Sequence, residues 1–224
     1  MIPGPDLIFK CPKCGQRISR GSLTSGNTIG AVCFSDASMK APMCPRFPAI
    51  AKCAGCGGYV WLGEENAAGS IPRWPRNGSD RPSDGEGAIP AEFLTAEEYI
   101  DALNGCKDKD DIRFLRIMAW QAFNARYLYD KDDSVYHDKA YIDNCNALLS
   151  LLKKRKNVLL ALLKRDKDEN DKLLSAELHR NLGEFDECSK IIETVSEKYS
   201  HQKNQIAAAC EKKLIHTFAF TKKV

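Results

Sequence analysis

The chain has 224 residues, with 33 Lys or Arg against 30 Asp or Glu, ten cysteines and a mean hydropathy of −0.39. That length fits one large domain or two small ones, and no apolar run approaches the roughly 18 residues that a membrane-spanning helix needs. A charge balance this close to neutral gives no large single-sign field.

The opening stretch MIPGPDLIFK has no basic start followed by an apolar run, so it does not read as a signal peptide. Cys106, Cys145, Cys188 and Cys210 are scattered through helical sequence, where a free thiol behaves as a small hydrophobe. A reducing, cytoplasmic setting is therefore expected.

Residues 7–11 predict a short strand that feeds CPKCG, Cys11 to Gly15; a second strand over 16–23 leaves it. After the turn-rich run 21–31, residues 31–34 and 39–43 predict a hairpin around Ser35-Asp36-Ala37-Ser38. Ile50 to Cys53 then leads into CAGCGG, Cys53 to Gly58, and Tyr59 to Leu62 leaves it as a strand. Strand, knuckle, strand, insert, strand, knuckle, strand is the order of a zinc ribbon with rubredoxin-like knuckles.

The first sixty residues are poor in large aliphatics, and a module that small needs a staple. Two Cys-x-x-Cys pairs, each followed by glycine, supply one. Each chain turn aims backbone N–H groups at sulfur, the glycine accepts a positive φ, and four thiolates suit a closed tetrahedral Zn²⁺. The expected ligands are Cys11, Cys14, Cys53 and Cys56, holding one structural Zn²⁺; iron uses the same four thiolates, so the ion's identity stays open. The gap between the pairs is 38 residues, long against the about 15 to 20 of a compact ribbon. It contains Cys33 and Cys44, expected as core packing and as a turn residue rather than as further ligands.

Residues 63–92 have the composition of a linker, rich in glycine, proline, serine and charge, with Trp74 the exception. The predicted division is therefore a zinc ribbon over 1–62, a linker over 63–92 and a helical domain over 93–224.

In that third part, Thr95 and Glu98 form a capping box for a first helix. Asp110 or Asp111 caps a second through Tyr129, with Ile112, Leu115, Ala119, Ala122 and Phe123 on one stripe. Helices follow over about 138–152, 169–182, 186–199 and 201–213, and the run LIHTFAF from Leu214 predicts a strand. The basic run 153–156 reads as a solvated turn or helix face, and DKDEND, Asp166 to Asp171, as a loop with a helix cap, because it lacks the glycine and glutamate of a calcium loop.

Residues 1–62 carry seven Lys or Arg and two acids, an excess that a Zn(Cys)₄ centre reduces by about two charges. Lys10, Lys13, Arg17, Arg20, Lys40, Arg46 and Lys52, with Phe34, Tyr59 and Trp61, are the candidate nucleic-acid face. His137, His179, His201 and His216 stand at no catalytic spacing, and no phosphate loop, nucleophile elbow or His-Glu-x-x-His occurs. No catalytic residue is predicted.

The stretch 173–195, with Ala176, Gly183, Phe185, Cys188 and Ile192, resembles one tetratricopeptide-type helical hairpin. The four cysteines join 20–28, Ser35-Asp36, 41–43, 115–120 and 177–185 in a wider likeness. Through them the chain resembles an uncharacterised bacterial family that couples an N-terminal zinc ribbon to a C-terminal tetratricopeptide-like domain. The resemblance implies a metal and an α+β fold, and no established activity. The expectation is an interaction or scaffold protein with a protein partner and no membrane, or alternatively a nucleic-acid-binding regulator acting through the basic ribbon.

Overall fold

A computed structural model of the chain describes residues 1–72, 87–153 and 165–221, with the backbone alone for 165–168. The chain forms two compact units: Met1–Ala31 with Lys40–Leu94, and Val32–Met39 with Thr95–Val224. The fold is α+β, as expected, with small sheets in the first unit and six α-helices among the described residues.

Strand β1 (Ile2–Pro3) pairs antiparallel with β4 (Leu23–Ser25). Strands β2 (Asp6–Lys10) and β3 (Arg17–Arg20) pair antiparallel across the first knuckle, Phe9 facing Ile18 and Lys10 facing Arg17. Around the second knuckle, β7 (Ile50–Lys52) pairs with β8 (Tyr59–Trp61), Ala51 facing Val60. Side chains alternate across a strand, so the inward set Phe9, Ile18, Ala51 and Val60, with Leu62, packs together around the buried Cys11 and Cys53.

Within the span 63–92, expected as a linker, the described residues include two strands. Residues 64–66 form a short 3₁₀ turn, and β9 (Ala67–Ile71) pairs antiparallel with β2. Further on, β10 (Ile89–Pro90) adds in parallel to β3. The four-stranded order β10-β3-β2-β9 encloses β2 and β3 between later strands. Alanine, glycine and serine make a weak strand signal, yet β2 offers β9 an open edge of backbone donors and acceptors that needs pairing. Trp74 and the rest of 73–86 lie outside the described residues.

The predicted insert hairpin forms as β5 (Val32–Cys33) against β6 (Met39–Lys40), with Ala37 at φ 60 in its turn. Cys33 is exposed rather than core, while Cys44 is half-buried and its N–H closes a turn on the Ala41 carbonyl.

In the second unit, α1 (Ala96–Ala102) starts on the predicted capping box. Thr95 Oγ1 accepts from the Glu98 N–H, and Glu98 accepts from the Thr95 N–H. Helix α2 (Lys109–Asp130) is capped by Asp108, ahead of the two expected residues; its carboxylate reaches the N–H groups of both Asp110 and Asp111. Helix α3 spans Lys139–Lys153, and the basic run beyond Lys153 lies outside the described residues.

Helix α4 (Arg165–Asn181) extends through DKDEND, which is helix where a loop was expected. Helices α4 and α5 (Phe185–Glu193) pack as a hairpin closed at Gly183. There φ is 76, and the Glu184 N–H reaches back to the His179 carbonyl, a C-terminal cap that glycine adopts without steric cost. Helix α6 (Ser200–Glu211) completes the set. Ala176, Cys188, Ile192, Val195, Ile206 and Cys210 form the core that α4, α5 and α6 share. Trp120, Phe123, Tyr136, Tyr141, Leu148 and Leu178 form the larger core of α2, α3 and α4. No described helix is long and apolar enough to cross a membrane.

Candidate metal centre

The two knuckles repeat one set of backbone bonds. In the first, the Cys11 N–H reaches the Gln16 carbonyl and the Gly15 N–H reaches the Cys11 carbonyl; in the second, Cys53 pairs with Gly58 and Gly57 with Cys53. Gly15 and Gly57 hold φ of 76 and 71, a conformation that costs an L-residue roughly 1–2 kcal/mol. The glycine after each second cysteine therefore has the role expected of it.

All four predicted ligands come together. Their sulfurs lie within 4.8 Å of one another, with Cys11 to Cys56 at 3.7 Å and Cys14 to Cys53 at 3.5 Å. Those separations are far beyond a disulfide bond, about 2.05 Å. Four sulfurs at about 2.3 Å from a central zinc in a tetrahedron stand about 3.8 Å apart. The observed spacing fits one tetrahedral ion, and each close pair takes one sulfur from each knuckle.

Cys11 and Cys53 are buried against Phe9, Ile18 and Val60; Cys56 is half-buried and Cys14 exposed. Burial opposes ionisation of Cys11, but the N–H groups of Cys14 and Lys13 and the neighbouring thiols outweigh it and bring Cys11 down to about 7. At Cys14 the Gln16 N–H favours the thiolate, while Cys53, partial desolvation and the other thiols oppose it and push Cys14 up to about 12. Once one sulfur is ionised, the next must gather negative charge beside it, and a dication at the centre relieves that repulsion. This group of four can hold a metal ion, and it is the one such His/Cys/Asp/Glu group among the described residues.

The candidate nucleic-acid face divides. Lys10, Lys13 and Lys52 are exposed beside the knuckles. Arg20 instead turns inward: it donates to the Leu62 carbonyl at 2.8 Å and lies 4.9 Å over the Phe9 ring. Phe34 belongs to the second unit, where it bridges to Ala219. Three histidines have partners within the second unit: His179 with Glu184, His201 with Gln205, and His216 with Asp133.

A buried polar chain in the second unit was not foreseen. Asp36 is fully buried; its carboxylate accepts from the Ser38 N–H and hydroxyl and from Asn124 Nδ2 at 3.1 Å. Tyr141 donates to Asn124 Oδ1, Trp120 Nε1 donates to both Tyr141 and Asn181, and Asn181 Nδ2 donates to the Ile215 carbonyl. Beside it, Glu177 and Arg180 form an ion pair with both side chains fully buried. Burial raises the Asp36 carboxyl above its ordinary range against the pull of the Ser38 and Asn124 bonds, and Glu177 adds to the rise. The available signal was Glu177, Arg180 and Asn181 at helical spacing inside an otherwise apolar face.

The chain matches no family model, no curated protein and no solved structure. Of the family likeness, the structure carries the clustered cysteines and the helical C-terminal region.

Proposed function

We propose that the chain is a zinc-binding interaction protein. The Zn(Cys)₄ centre is structural, and the helical unit, of tetratricopeptide-like build, receives a protein partner. The observation that supports this most is the four-sulfur cluster, in which protein thiolates fill every position of a tetrahedral ion. A site with no open coordination position activates no water and binds no substrate; its chemical contribution is to hold the ribbon together. Zinc modules gain about 10–16 kcal/mol from the ion, large against the few kcal/mol that a core this small supplies. The tetratricopeptide-like reading is supported by the close α4–α5 pairing over Ala176 and Cys188, which are both fully buried.

Elemental analysis of the purified chain tests the centre. The expected result is about one zinc per chain, lost in a Cys53→Ser variant. Chelation is expected to remove the amide protection of β2, β3, β7 and β8 while leaving the helical circular dichroism signal unchanged. A metal-free chain with an intact ribbon refutes the reading.

The nucleic-acid alternative has Lys10, Lys13 and Lys52 in its favour and loses Arg20, which is engaged within the ribbon. It requires binding to DNA or RNA that weakens steeply with salt. Absence of binding at low salt removes it.

A further inference from the structure

The run LIHTFAF, Leu214 to Phe220, was expected as a strand. From Leu214 to Thr221 the one β-bridge among the described residues is Ala219 to Phe34, and most of the backbone bonds are made by side chains. Arg180 donates to the carbonyls of Leu214 and His216, and Asn181 to that of Ile215. The Thr217 N–H donates to the Tyr136 hydroxyl at 2.9 Å, the Phe218 N–H to Ser35 Oγ at 3.1 Å, and the Thr221 N–H to Gln205 Oε1 at 2.9 Å. Three backbone bonds complete the set, from Leu214 N–H to the Ala209 carbonyl, from Ser35 N–H to the Phe218 carbonyl and from Phe220 N–H to the Cys33 carbonyl.

Backbone contacts of this kind read no sequence; selectivity comes from side chains on alternate positions. Phe218 and Phe220, two apart, pack edge-to-face at 5.6 Å and lie against the α4–α5–α6 core, with Arg180 5.1 Å over the Phe218 ring.

Three features distinguish this seat from the inside of a domain. The segment joins α6 through Lys213, a non-glycine residue at φ 53, where the left-handed conformation carries strain. Two half-open cavities, of about 320 and 350 Å³, border the segment, one beside Tyr127, Lys212 and Thr217 and the other beside His137, Gly183 and Ile215. Thr217 is buried, with its hydroxyl oxygen unpartnered.

We infer that the helical unit is a receptor for an extended peptide with aromatic side chains two residues apart, and that the chain's own Leu214–Thr221 occupies it in cis. A partner segment of the same chemistry displaces it by adding as a strand beside 33–35 and inserting its two rings against α5 and α6. This inference rests on the reading of the helical unit as the partner-binding part. Because the cis segment is tethered, it competes at an effective concentration near millimolar, so the receptor is self-masked until a tighter segment arrives.

The experiment uses the zinc-loaded full chain. Native-state hydrogen exchange is expected to show the amides of Thr217, Phe218, Phe220 and Thr221 opening about 100-fold or more faster than those in the middle of α4, a local release rather than global unfolding. A fluorescent peptide of residues 214–221 is expected to bind a Phe218→Ala/Phe220→Ala chain about tenfold or more tighter than the wild-type chain, since the masking segment is weakened. The same peptide with serine at both phenylalanine positions is expected not to bind.

Segment amides that exchange together with the α4 core make the run an integral strand and overturn the proposal without recourse to any variant. A folded variant that gains no peptide affinity also overturns it, as does a concentration-dependent dimer that exchanges the segment between copies. Each of these failures leaves the zinc-built ribbon standing, because metal content and chelation test that separately.

Discussion

Replacing Arg180 with methionine removes the cation of a fully buried pair while keeping a side chain of similar length. Arg180 Nε and Nη2 both bond Glu177, Nε at 2.8 Å to Oε2, and the same guanidinium serves the carbonyls of Leu214 and His216. Burial works against the charge, but Glu177 outweighs it and holds the guanidinium firmly protonated. An ionised Glu177 left alone in the interior costs about 3–5 kcal/mol. Each carbonyl that loses its donor adds roughly 1 kcal/mol. The expected loss is therefore about 5 kcal/mol or more, comparable to the whole stability of a modest domain.

Urea unfolding followed at 222 nm at pH 7, with zinc present so that the ribbon is constant, measures it. The double variant Glu177→Leu/Arg180→Met has no stranded charge, and it is expected to regain about 3 kcal/mol over the single one. A single variant that loses less than about 1 kcal/mol, or a double variant no more stable than it, refutes the account of this pair.

Gly183→Ala should cost about 1 kcal/mol in the same assay, since an added Cβ meets nothing within 4 Å and the expense is the positive φ alone; an unchanged midpoint contradicts it. Gly57→Ala places the same strain in the second knuckle, where it should appear as zinc affinity about 5- to 30-fold weaker in a competition titration. Asp36 gives a pH signature. Its carboxyl is raised in the folded state by burial, so its contribution is fully present below the unfolded value of about 3.9 and is lost as pH rises through the raised folded value. The wild type should therefore lose stability relative to Asp36→Asn from about pH 4 upward and then level off; parallel profiles for the two chains contradict the burial argument.

The metal centre was legible in the sequence because its physics is local. A Cys-x-x-Cys-Gly knuckle needs only a tight turn, a positive φ at Gly15 or Gly57 and sulfurs that converge, and the repeat of that pattern picked out the four cysteines that cluster. Local rules also placed the Thr95–Glu98 capping box and the stop at Gly183.

What depended on distant partners was not legible. Ala67–Ile71 has the composition of a linker and becomes a strand because β2 presents an unpaired edge. The residues 32–39 interrupt the ribbon in sequence yet fold with the helices, because Asp36 finds Asn124 and Gln121 there. Leu214–Thr221 carries β-branched and aromatic residues yet makes one β-bridge, to Phe34, and side chains from Arg180, Asn181 and Tyr136 supply bonds that a sheet otherwise supplies. Periodicity and spacing determined which residues turn and cap and which cysteines cluster. Only the tertiary structure decided which backbone groups those elements leave open and what satisfies them, because a buried donor or acceptor takes whatever partner the fold brings within reach.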